Sequence, residues 1–360
     1  MKHLSILSAC ALFALASIVS AQEYTSVEDL KKNEVDYRDF QAQGEYLFVA
    51  GAKQFAVQVI ADGKGKFTLV GYPGGFPGLG WLLEKRVRII YKGEVNETGD
   101  KVLFKVAYME NGEDYRKQLP IPEAQATATA ELDIAQKTVT FYNPGVPARV
   151  ANAVEITSPT LGMKAPEGAT LFYDGTSKDA TNTDLIANFR KINEETGAMF
   201  SEFCTKNLEA GKPYYLHVEF MLSFMPNAKG QGRSNSGVYL NECYECQVLD
   251  SFGLHGENNE CGGFYQQQRP FVNTCISPLK WQTYDFIVFP PKFDESGKKV
   301  ENARVHVALN GVLIHDNLEL KGHTPGRKGE SPEPRGIYFQ GHGNNVQYRN
   351  IWVKYDPEMQ

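Results

Sequence analysis

The sequence has no excess of positive charge and no long basic run. Its 37 Lys and Arg residues stand against 43 Asp and Glu residues, which gives a formal net charge of −6. Proteins that bind a phosphate backbone or an anionic membrane surface carry a basic patch, so neither partner is expected. After the first 21 residues there is also no apolar run long enough to cross a bilayer. We therefore expect a protein that does not bind nucleic acid and has no membrane span.

Methionine and tryptophan are scarce, with 7 and 3 residues, whereas Gly (33), Phe (21) and Tyr (18) are abundant. This composition favours strands and turns over helical bundles. Hydrophobic residues make up 42% of the chain and charged residues 22%, which is typical of a folded globular protein. Because 360 residues exceed one ordinary domain, we expect an all-β protein with two domains.

Residues 1–21 have the pattern of a secretory signal peptide. Lys2 and His3 form a basic start, an apolar stretch runs from Leu4 to Val19, and Ala21 ends the segment before polar residues. The apolar stretch is short for a membrane anchor, which is the alternative interpretation. We expect cleavage after Ala21 and a secreted or periplasmic protein.

Five cysteines remain after the signal peptide, and an odd number in an oxidising compartment leaves at least one thiol unpaired. Cys261 and Cys275 flank a loop that contains Gly and Pro. We predict a disulfide between them, worth about 3 kcal/mol in a chain-entropy model. Cys243 and Cys246 have the spacing of zinc ligands, but no second pair accompanies them, which favours a structural role.

Residues 22–157 are predicted to form a small all-β domain. No histidine occurs in this half, nor any nucleophile–base pair, which indicates an accessory or packing role. Pro159 and Pro166 interrupt the strand pattern and mark a boundary at 158–168. The β-type runs are separated by turn signals and lie at 55–61, 66–72, 86–91, 101–108, 127–132 and 138–142.

Residues 158–360 are predicted to form a β-sandwich. Apolar and polar residues alternate along 215–220, and Asn310-Gly311 predicts a type I′ hairpin between 304–309 and 312–314. A last hairpin is predicted from 337–340 and 346–354, and the only helix-like stretch is 184–194. Strands with one polar face each predict a sandwich that binds a polar ligand.

The segment from Tyr244 to Asp250 is the densest candidate for chemistry. In a regular strand Glu245 and Gln247 share a face, and one bulge after Gln247 would bring Asp250 to the same side. Glycoside cleavage needs an acid and a base or nucleophile at fixed separation. Two acidic residues on one strand are also common on a solvent-exposed face without catalytic function. On spacing alone, this non-catalytic interpretation is favoured.

The predicted last hairpin supplies a second candidate. If its loop has an even length, Gln340 and His342 lie on the same face as Gln347 and Arg349. An arginine beside a histidine favours the neutral imidazole, which suits a general base. A structural histidine at a turn is an equally supported alternative.

A third group of side chains has the chemistry of sugar binding. Asn235, in a Gly-rich stretch, offers a donor and an acceptor for sugar hydroxyls. Trp281, Tyr265 and Tyr239 are candidate stacking platforms for a sugar ring, although a core role is commoner for a tryptophan in a strand.

Taken together, these motifs resemble the 3-keto-disaccharide hydrolase family, long known only as a bacterial domain of unknown function. The resemblance covers roughly 168–355 and leaves 23–157 outside. This sequence departs from the family pattern at Cys246, where an aliphatic residue is usual, and at Gly341, where an acidic residue is usual. The motifs occur in this order: Leu171-Phe172-Tyr173-Asp174-Gly175, Asn235–Leu240, Tyr244–Gly253, Cys261-Gly262-Gly263 with Tyr265, Trp281–Asp285, Asn310-Gly311-Val312, and Gln340 with His342-Gly343 through Ile351.

The resemblance implies a concanavalin-like jelly roll, export, and action on glycosides oxidised at carbon 3. A ketone at carbon 3 acidifies the proton on carbon 2, so one general base and hydrogen bonds to the enolate suffice to expel the aglycone from carbon 1. Water can then add back, so hydrolase and lyase or hydratase activities stay open. A non-catalytic carbohydrate-binding module is the alternative from another class.

We therefore expect His342 or Glu245 to act as the base. Calcium, held through Asp250 or Asp285, is a candidate cofactor. The groups expected to bind the sugar and the oxyanion are Asn235, Gln247, Gln340 and Arg349, with Tyr265 and Trp281 as stacking platforms.

Overall fold

The computed structural model describes residues 21–81, 87–110, 117–177, 183–188 and 191–356. Apart from Ala21, the expected signal peptide lies outside these ranges. The described chain is almost entirely β-structure, as predicted. None of its helices has the length and apolar character needed to cross a membrane.

Eight antiparallel strands in the N-terminal half close into a barrel, which we call the N-terminal barrel. Each strand pairs with its neighbours in the chain, and the last pairs back with the first. Closure leaves these strands with no free edge. They are β1 (Gly44–Ala50), β2 (Lys53–Gly63), β3 (Lys66–Pro73), β6 (Arg88–Val95), β7 (Lys101–Glu110), β9 (Thr129–Asp133), β10 (Thr138–Tyr142) and β11 (Arg149–Val154), with short β4 (Phe76–Pro77), β5 (Gly80–Trp81) and β8 (Gln118–Leu119) in the connections.

The predicted β-type runs of this half coincide with β2, β3, β6, β7, β9 and β10, although the start of the run at 86–91 lies outside the described residues. The prediction missed β1 and β11, the two strands whose pairing closes the barrel. The local sequence of β1 or β11 does not reveal this pairing, because the pairing joins residues far apart in the chain.

Two short helices precede the barrel and were not predicted. Helix α1 (Val27–Leu30) begins after Ser26, whose hydroxyl accepts a hydrogen bond from the Asp29 amide at 3.2 Å. Helix α2 (Glu34–Ala42) begins after Asn33, which caps the Asp36 amide at 3.1 Å. The backbone amide of Gly65, in the β2–β3 turn, donates to Asp39 at 2.8 Å and holds α2 at that end of the barrel.

The second half forms the predicted β-sandwich, with one core cluster of buried side chains between two sheets. Its strands are β12 (Thr170–Tyr173), β13 (Ile186–Ala187), β14 (Met199–Phe200), β15 (Phe203–Thr205), β16 (Tyr214–Met221), β17 (Ser236–Leu240), β18 (Tyr244–Val248), β19 (Trp281–Phe289), β22 (Ala303–Leu309), β23 (Val312–Leu320), β24 (Tyr338–Phe339) and β25 (Gln347–Tyr355), with β20 (Lys292–Phe293) paired to β21 (Lys299–Glu301) outside the two sheets. The larger sheet has the path β12-β25-β16-β19-β22-β23 with β14 on β25, and the smaller sheet has the order β13-β15-β24-β17-β18.

The helix expected at 184–194 is absent from the described part of that stretch. The described part of 184–194 instead contains β13, which pairs with β15. Strand pairing with a distant segment has overridden the local preference.

One predicted hairpin is confirmed and the other is wrong. Asn310 and Gly311 have φ of 53° and 76°, as a type I′ turn between β22 and β23 requires. In contrast, β24 pairs with β15 and β17 of the smaller sheet, whereas β25 pairs with β16 of the larger sheet. The segment 340–346 therefore crosses between the sheets, and pattern alone does not distinguish a crossing from a turn.

The predicted disulfide is not formed. Cys261 and Cys275 are both buried free thiols in the core. The Cys261 thiol also lies 3.3 Å from the Tyr284 hydroxyl, and the Cys275 thiol lies 3.5 Å from the carbonyl oxygen of Ile276. Core packing and polar contacts thus take the place of the covalent bond.

Candidate functional site

The smaller sheet carries a polar surface on the side that faces away from the sandwich core. Val238 of β17 and Cys246 of β18 lie in the core. Because side chains alternate along a strand, Tyr239, Glu245 and Gln247 lie on the opposite face. Tyr239 and Glu245 are direct cross-strand neighbours. We call this surface the Glu245 face.

Glu245 is the central titratable group of this face. It is only 4% exposed, and burial raises its pKa to about 7 although the nearby Tyr239 hydroxyl and Arg327 guanidinium act to lower it. A Cβ at Gly237 would lie 2.5 Å from the Glu245 carboxylate oxygen. Glycine at this position therefore lets the carboxyl lie across β17.

The Tyr239 hydroxyl connects the Glu245 face to Gln340. The Gln340 side-chain amide donates to that hydroxyl at 3.1 Å, and its Oε1 atom is buried with no hydrogen-bond partner among the described residues. Such a group normally has a partner, so an unsatisfied acceptor beside a buried carboxyl indicates a place for water or a ligand.

A loop over 321–330 adds a cation to the face. The Thr324 hydroxyl accepts a hydrogen bond from the Glu245 amide at 2.9 Å, which fixes the loop on β18. The Arg327 guanidinium lies 4.0 Å from the centroid of the Tyr338 ring and 4.9 Å from that of Tyr239. Its Nε atom is also buried without a partner in the described chain. Arg327 and Tyr338 were not predicted, because neither belongs to a sequence motif with the spacing of a catalytic or binding site.

The side chains of Asn235 and Gln247 are hydrogen-bonded to each other. The Gln247 amide donates to Asn235 Oδ1 at 2.8 Å, and the Asn235 amide donates to the Gln231 carbonyl at 2.8 Å. The Asn235 backbone amide also donates to Asn344 at 2.9 Å, which attaches the crossing segment 340–346 to the Glu245 face. The side-chain groups of Asn235 and Gln247 are thus used in bonds to each other and to Gln231.

His342 and Tyr265 lie near this network without joining it. His342 is exposed in the crossing segment, two positions after Gln340, and no hydrogen bond links it to the Glu245 face in the described structure. Tyr265 is half-buried beside β18, and its backbone amide donates to the Glu245 carbonyl at 3.2 Å.

The predicted convergence of Arg349 with Gln340 and His342 is wrong. Arg349 lies on the outer face of the larger sheet, where its Nε donates to Glu219 at 2.7 Å and its guanidinium lies 3.9 Å from the centroid of the Trp281 ring. The sandwich core separates this pair from the Glu245 face. The reason is the crossing of the chain from β24 to β25, which sends the two halves of the motif to different sheets.

Arg349 belongs to a buried ionic cluster. His217 Nδ1 lies 2.7 Å from Asp285, and Gly162 donates its amide to Glu219 at 2.6 Å. Burial lowers the pKa of His217, but hydrogen bonds and charge interactions with Asp285 and Glu219 outweigh it, and the net shift is upward. Burial raises the pKa of Glu219, but the nearby His217 imidazole and the hydrogen bonds from Asn350 and Arg349 outweigh this and lower it to about 2. The cluster fixes the connecting segment after β11 on the sheet.

Asp250 does not lie beside Glu245. Strand β18 ends at Val248, and Asp250 accepts a hydrogen bond from Arg233 Nε at 2.6 Å, so the expected pair of carboxylates is not formed. Arg233 also reaches the Ala61 carbonyl of the barrel at 3.4 Å. Both proposed calcium ligands, Asp250 and Asp285, are therefore engaged by protein donors. Across the described ranges no group of three or more His, Cys, Asp or Glu side chains is placed to hold a metal ion.

Glu202 lies against Gly341. A Cβ at position 341 would stand 2.7 Å from Glu202 Cβ and 2.8 Å from its carboxylate oxygen. The Glu202 side chain thus fills the space that a side chain at 341 would need. Sequence reasoning missed this carboxylate because it comes from a different part of the chain.

The fold and this face define a β-sandwich protein with a buried carboxyl, a tyrosine, an arginine and amide groups on one sheet, a set suited to polyhydroxylated ligands. Residues 165–354 match the 3-keto-alpha-glucoside-1,2-lyase-like domain, and the chain belongs to this family. Membership supports a glycosidase-like function with a sugar substrate.

Two solved structures from Parabacteroides distasonis ATCC 8503, each described as a "putative glycosyl hydrolase", are similar to this chain. The first is 24% identical with a TM-score of 0.46, and covers 59% of this chain and 93% of its own. The second is 16% identical with a TM-score of 0.35, and covers 52% and 94%. A comparison with curated proteins finds no match.

Proposed function

We propose that this protein is an exported enzyme that cleaves 3-keto-glycosides, with Glu245 as the general base. The observation that carries the proposal is the Glu245 carboxyl itself, which is buried beside Tyr239 and has a pKa raised to about 7. A carboxyl with such a pKa is ionised in part of the protein at neutral pH and can both take and return a proton. Export rests on the sequence pattern of residues 1–21.

The reaction needs one proton transfer at carbon 2 and no oxidant. The Glu245 carboxylate takes the proton from carbon 2, and the electron pair forms an enolate with the carbon 3 ketone. The enolate then re-forms the ketone and expels the aglycone oxygen from carbon 1, which leaves a carbon 1–carbon 2 double bond. The aglycone takes up a proton, and water added across the double bond gives the free 3-keto-sugar.

Arg327 and Gln340 are the groups best suited to hold the sugar and the enolate. The buried Arg327 Nε is a donor and the buried Gln340 Oε1 is an acceptor, and neither has a partner in the described structure. A cation beside a developing oxyanion stabilises the transition state more than the ground state. Tyr239 is the cross-strand neighbour of Glu245 and accepts a hydrogen bond from Gln340, so it brings the amide close to the carboxyl.

Glu202 is proposed as the carboxylate that replaces the acidic residue usual at position 341. Its carboxylate lies within 2.8 Å of where a Cβ at Gly341 would stand. His342 remains the alternative base, since it lies in the same crossing segment as Gly341.

The test is incubation of the mature protein with 3-keto-trehalose and a 3-keto-glucoside, with unoxidised trehalose as control. We expect release of sugar from the oxidised substrates alone, and deuterium at carbon 2 of the hydrated product when the reaction runs in D₂O, because the unsaturated product has no hydrogen on carbon 2. Parallel runs with a chelator test the need for a metal, and absorbance of an unsaturated ketone distinguishes a lyase product from a hydrolase product. Binding of oxidised and unoxidised sugars without turnover would instead identify a carbohydrate-binding module.

Variants distinguish the two candidate bases. Glu245→Gln is expected to lower turnover by about a hundredfold or more, whereas His342→Ala changes it little. The reverse result would assign the base to His342.

A further inference from the structure

We propose that the open end of the N-terminal barrel binds a small aromatic anion, a single ring that carries a carboxylate. One end of this barrel is closed, because α2 lies across the β2–β3 turn and Phe224 of the sandwich packs edge-on against Phe40 with 5.4 Å between ring centroids. The other end contains a cavity of about 150 Å³. Closed barrels of eight strands are wide enough to hold one small ligand.

The walls of this cavity are aromatic. Phe55 and Phe141 meet edge to face at 5.5 Å, and Tyr91 meets Phe141 at 5.9 Å in the same manner. The Phe55 ring lies over Gly71, where a Cβ would collide with it, so the inward-facing glycine gives the ring its place. The cavity is lined mainly by Phe48, Phe55, Ile89, Tyr91, Phe141 and Arg149, and the polar residues Gln125 and Asn143 complete the lining.

Arg149 lies at the rim of this open end, and its side chain is exposed. It lies two positions before Ala151, which is fully buried in the barrel core, and directly across from Phe141, so all three share the inner face. Its guanidinium lies 5.7 Å from the centroid of the Phe48 ring. Within the ranges that the structure covers, no carboxylate forms an ion pair with Arg149. A cation at the mouth of a cavity with aromatic walls is complementary to a ligand with an aromatic body and an anionic end.

The volume determines the size of the ligand. A cavity of about 150 Å³ has room for one benzene-sized ring. Edge-to-face contacts with Phe55 and Phe141 favour an aromatic ring over an aliphatic one. A carboxylate on that ring would reach the guanidinium at the rim, which leads to the class proposed.

Binding of three probes to the mature full chain tests the proposal by titration calorimetry and ligand-observed NMR. Benzoate has both ring and charge, benzyl alcohol has the ring alone, and acetate has the charge alone. We expect benzoate to bind more tightly than benzyl alcohol and acetate not to bind.

Arg149→Gln is expected to weaken benzoate about tenfold and to leave benzyl alcohol within about twofold, because it removes only the charge-assisted contact. Lys105→Gln is the matched control, since Lys105 is exposed on β7 of the same barrel. It should change neither affinity. Ile89→Trp, which fills the cavity, should abolish binding of both ring-containing probes.

The proposal is overturned if wild-type protein does not bind benzoate, if acetate binds equally well, or if Arg149→Gln leaves benzoate affinity unchanged. Thermal unfolding of each variant identifies any that fails to fold. Should Ile89→Trp fail in this way, the comparison of Arg149→Gln with Lys105→Gln still decides the matter. Because Arg149 lies on the barrel, cleavage of 3-keto-glycosides is expected to be the same in Arg149→Gln and wild type.

Discussion

Replacing Glu245 by glutamine should lower the turnover of 3-keto-glycosides. It should also raise the free energy of unfolding at high pH relative to that of the wild type. The folded-state pKa of Glu245 is about 7 against an ordinary value of 4.5, because burial disfavours the charge. The folded state therefore holds its proton more firmly than the unfolded state, and stability falls as pH rises from about 4.5 to 7. At about 1.36 kcal/mol per pKa unit, this amounts to about 3 kcal/mol.

The glutamine side chain of the Glu245→Gln variant cannot ionise, so this loss is absent from the variant. The difference in unfolding free energy between variant and wild type should shift by about 3 kcal/mol in favour of the variant from about pH 4 to pH 8. Urea unfolding at several pH values measures the shift. Turnover of a 3-keto-glucoside should fall by about 10²- to 10⁴-fold, the usual contribution of a general base.

A variant that loses activity through misfolding cannot also gain stability, so the two measurements together separate catalysis from structure. Glu301→Gln is the control, because Glu301 is exposed and pairs only with Lys292 in the described structure. It should change neither activity nor the pH dependence of unfolding. An unchanged pH dependence in Glu245→Gln would refute the assignment of a buried, protonatable carboxyl.

Three further predictions concern single contacts. Gly237→Ala places a methyl group 2.5 Å from the Glu245 carboxylate and should reduce turnover about tenfold or more. Circular dichroism should be unchanged. Full activity of this variant would contradict the close contact between Gly237 and Glu245. His217 has a raised folded-state pKa, so it stabilises the fold below its ordinary pKa and loses that contribution as pH rises; His217→Gln should remove this pH dependence from urea unfolding. Gly311→Ala combines a φ of 76° with a collision against Pro159 and should cost about 1–3 kcal/mol in unfolding free energy.

Much of the architecture could be predicted because it follows from short-range pattern. Alternation along β16 places Leu216 and Val218 in the core and His217 on the outer face. Asn310 and Gly311 accept positive φ, and the hairpin between β22 and β23 follows from that. The missing helix at 184–194 and the unrecognised closure of β1 on β11 have one cause, since each depends on a partner far along the chain.

The candidate site divides in the same way. The face shared by Glu245 and Gln247 follows from strand periodicity and was predicted. Arg327 lies at the Glu245 face because the loop 321–330 folds over it. Glu202 contacts Gly341 from the connection between β14 and β15. No local pattern could assign them, because their positions depend on how loops fold back over the sheet.

By itself the sequence determined the all-β composition, the strand faces and the family to which residues 165–354 belong, since these depend on residue types and their spacing. The tertiary structure alone decided which of the polar residues meet. It sent Gln340 and Arg349 to opposite sides of the sandwich, kept Cys261 and Cys275 as separate thiols, and closed the barrel around a cavity. The physical reason is that such contacts depend on the sheet to which each strand is added, and that choice is made by packing across the whole core.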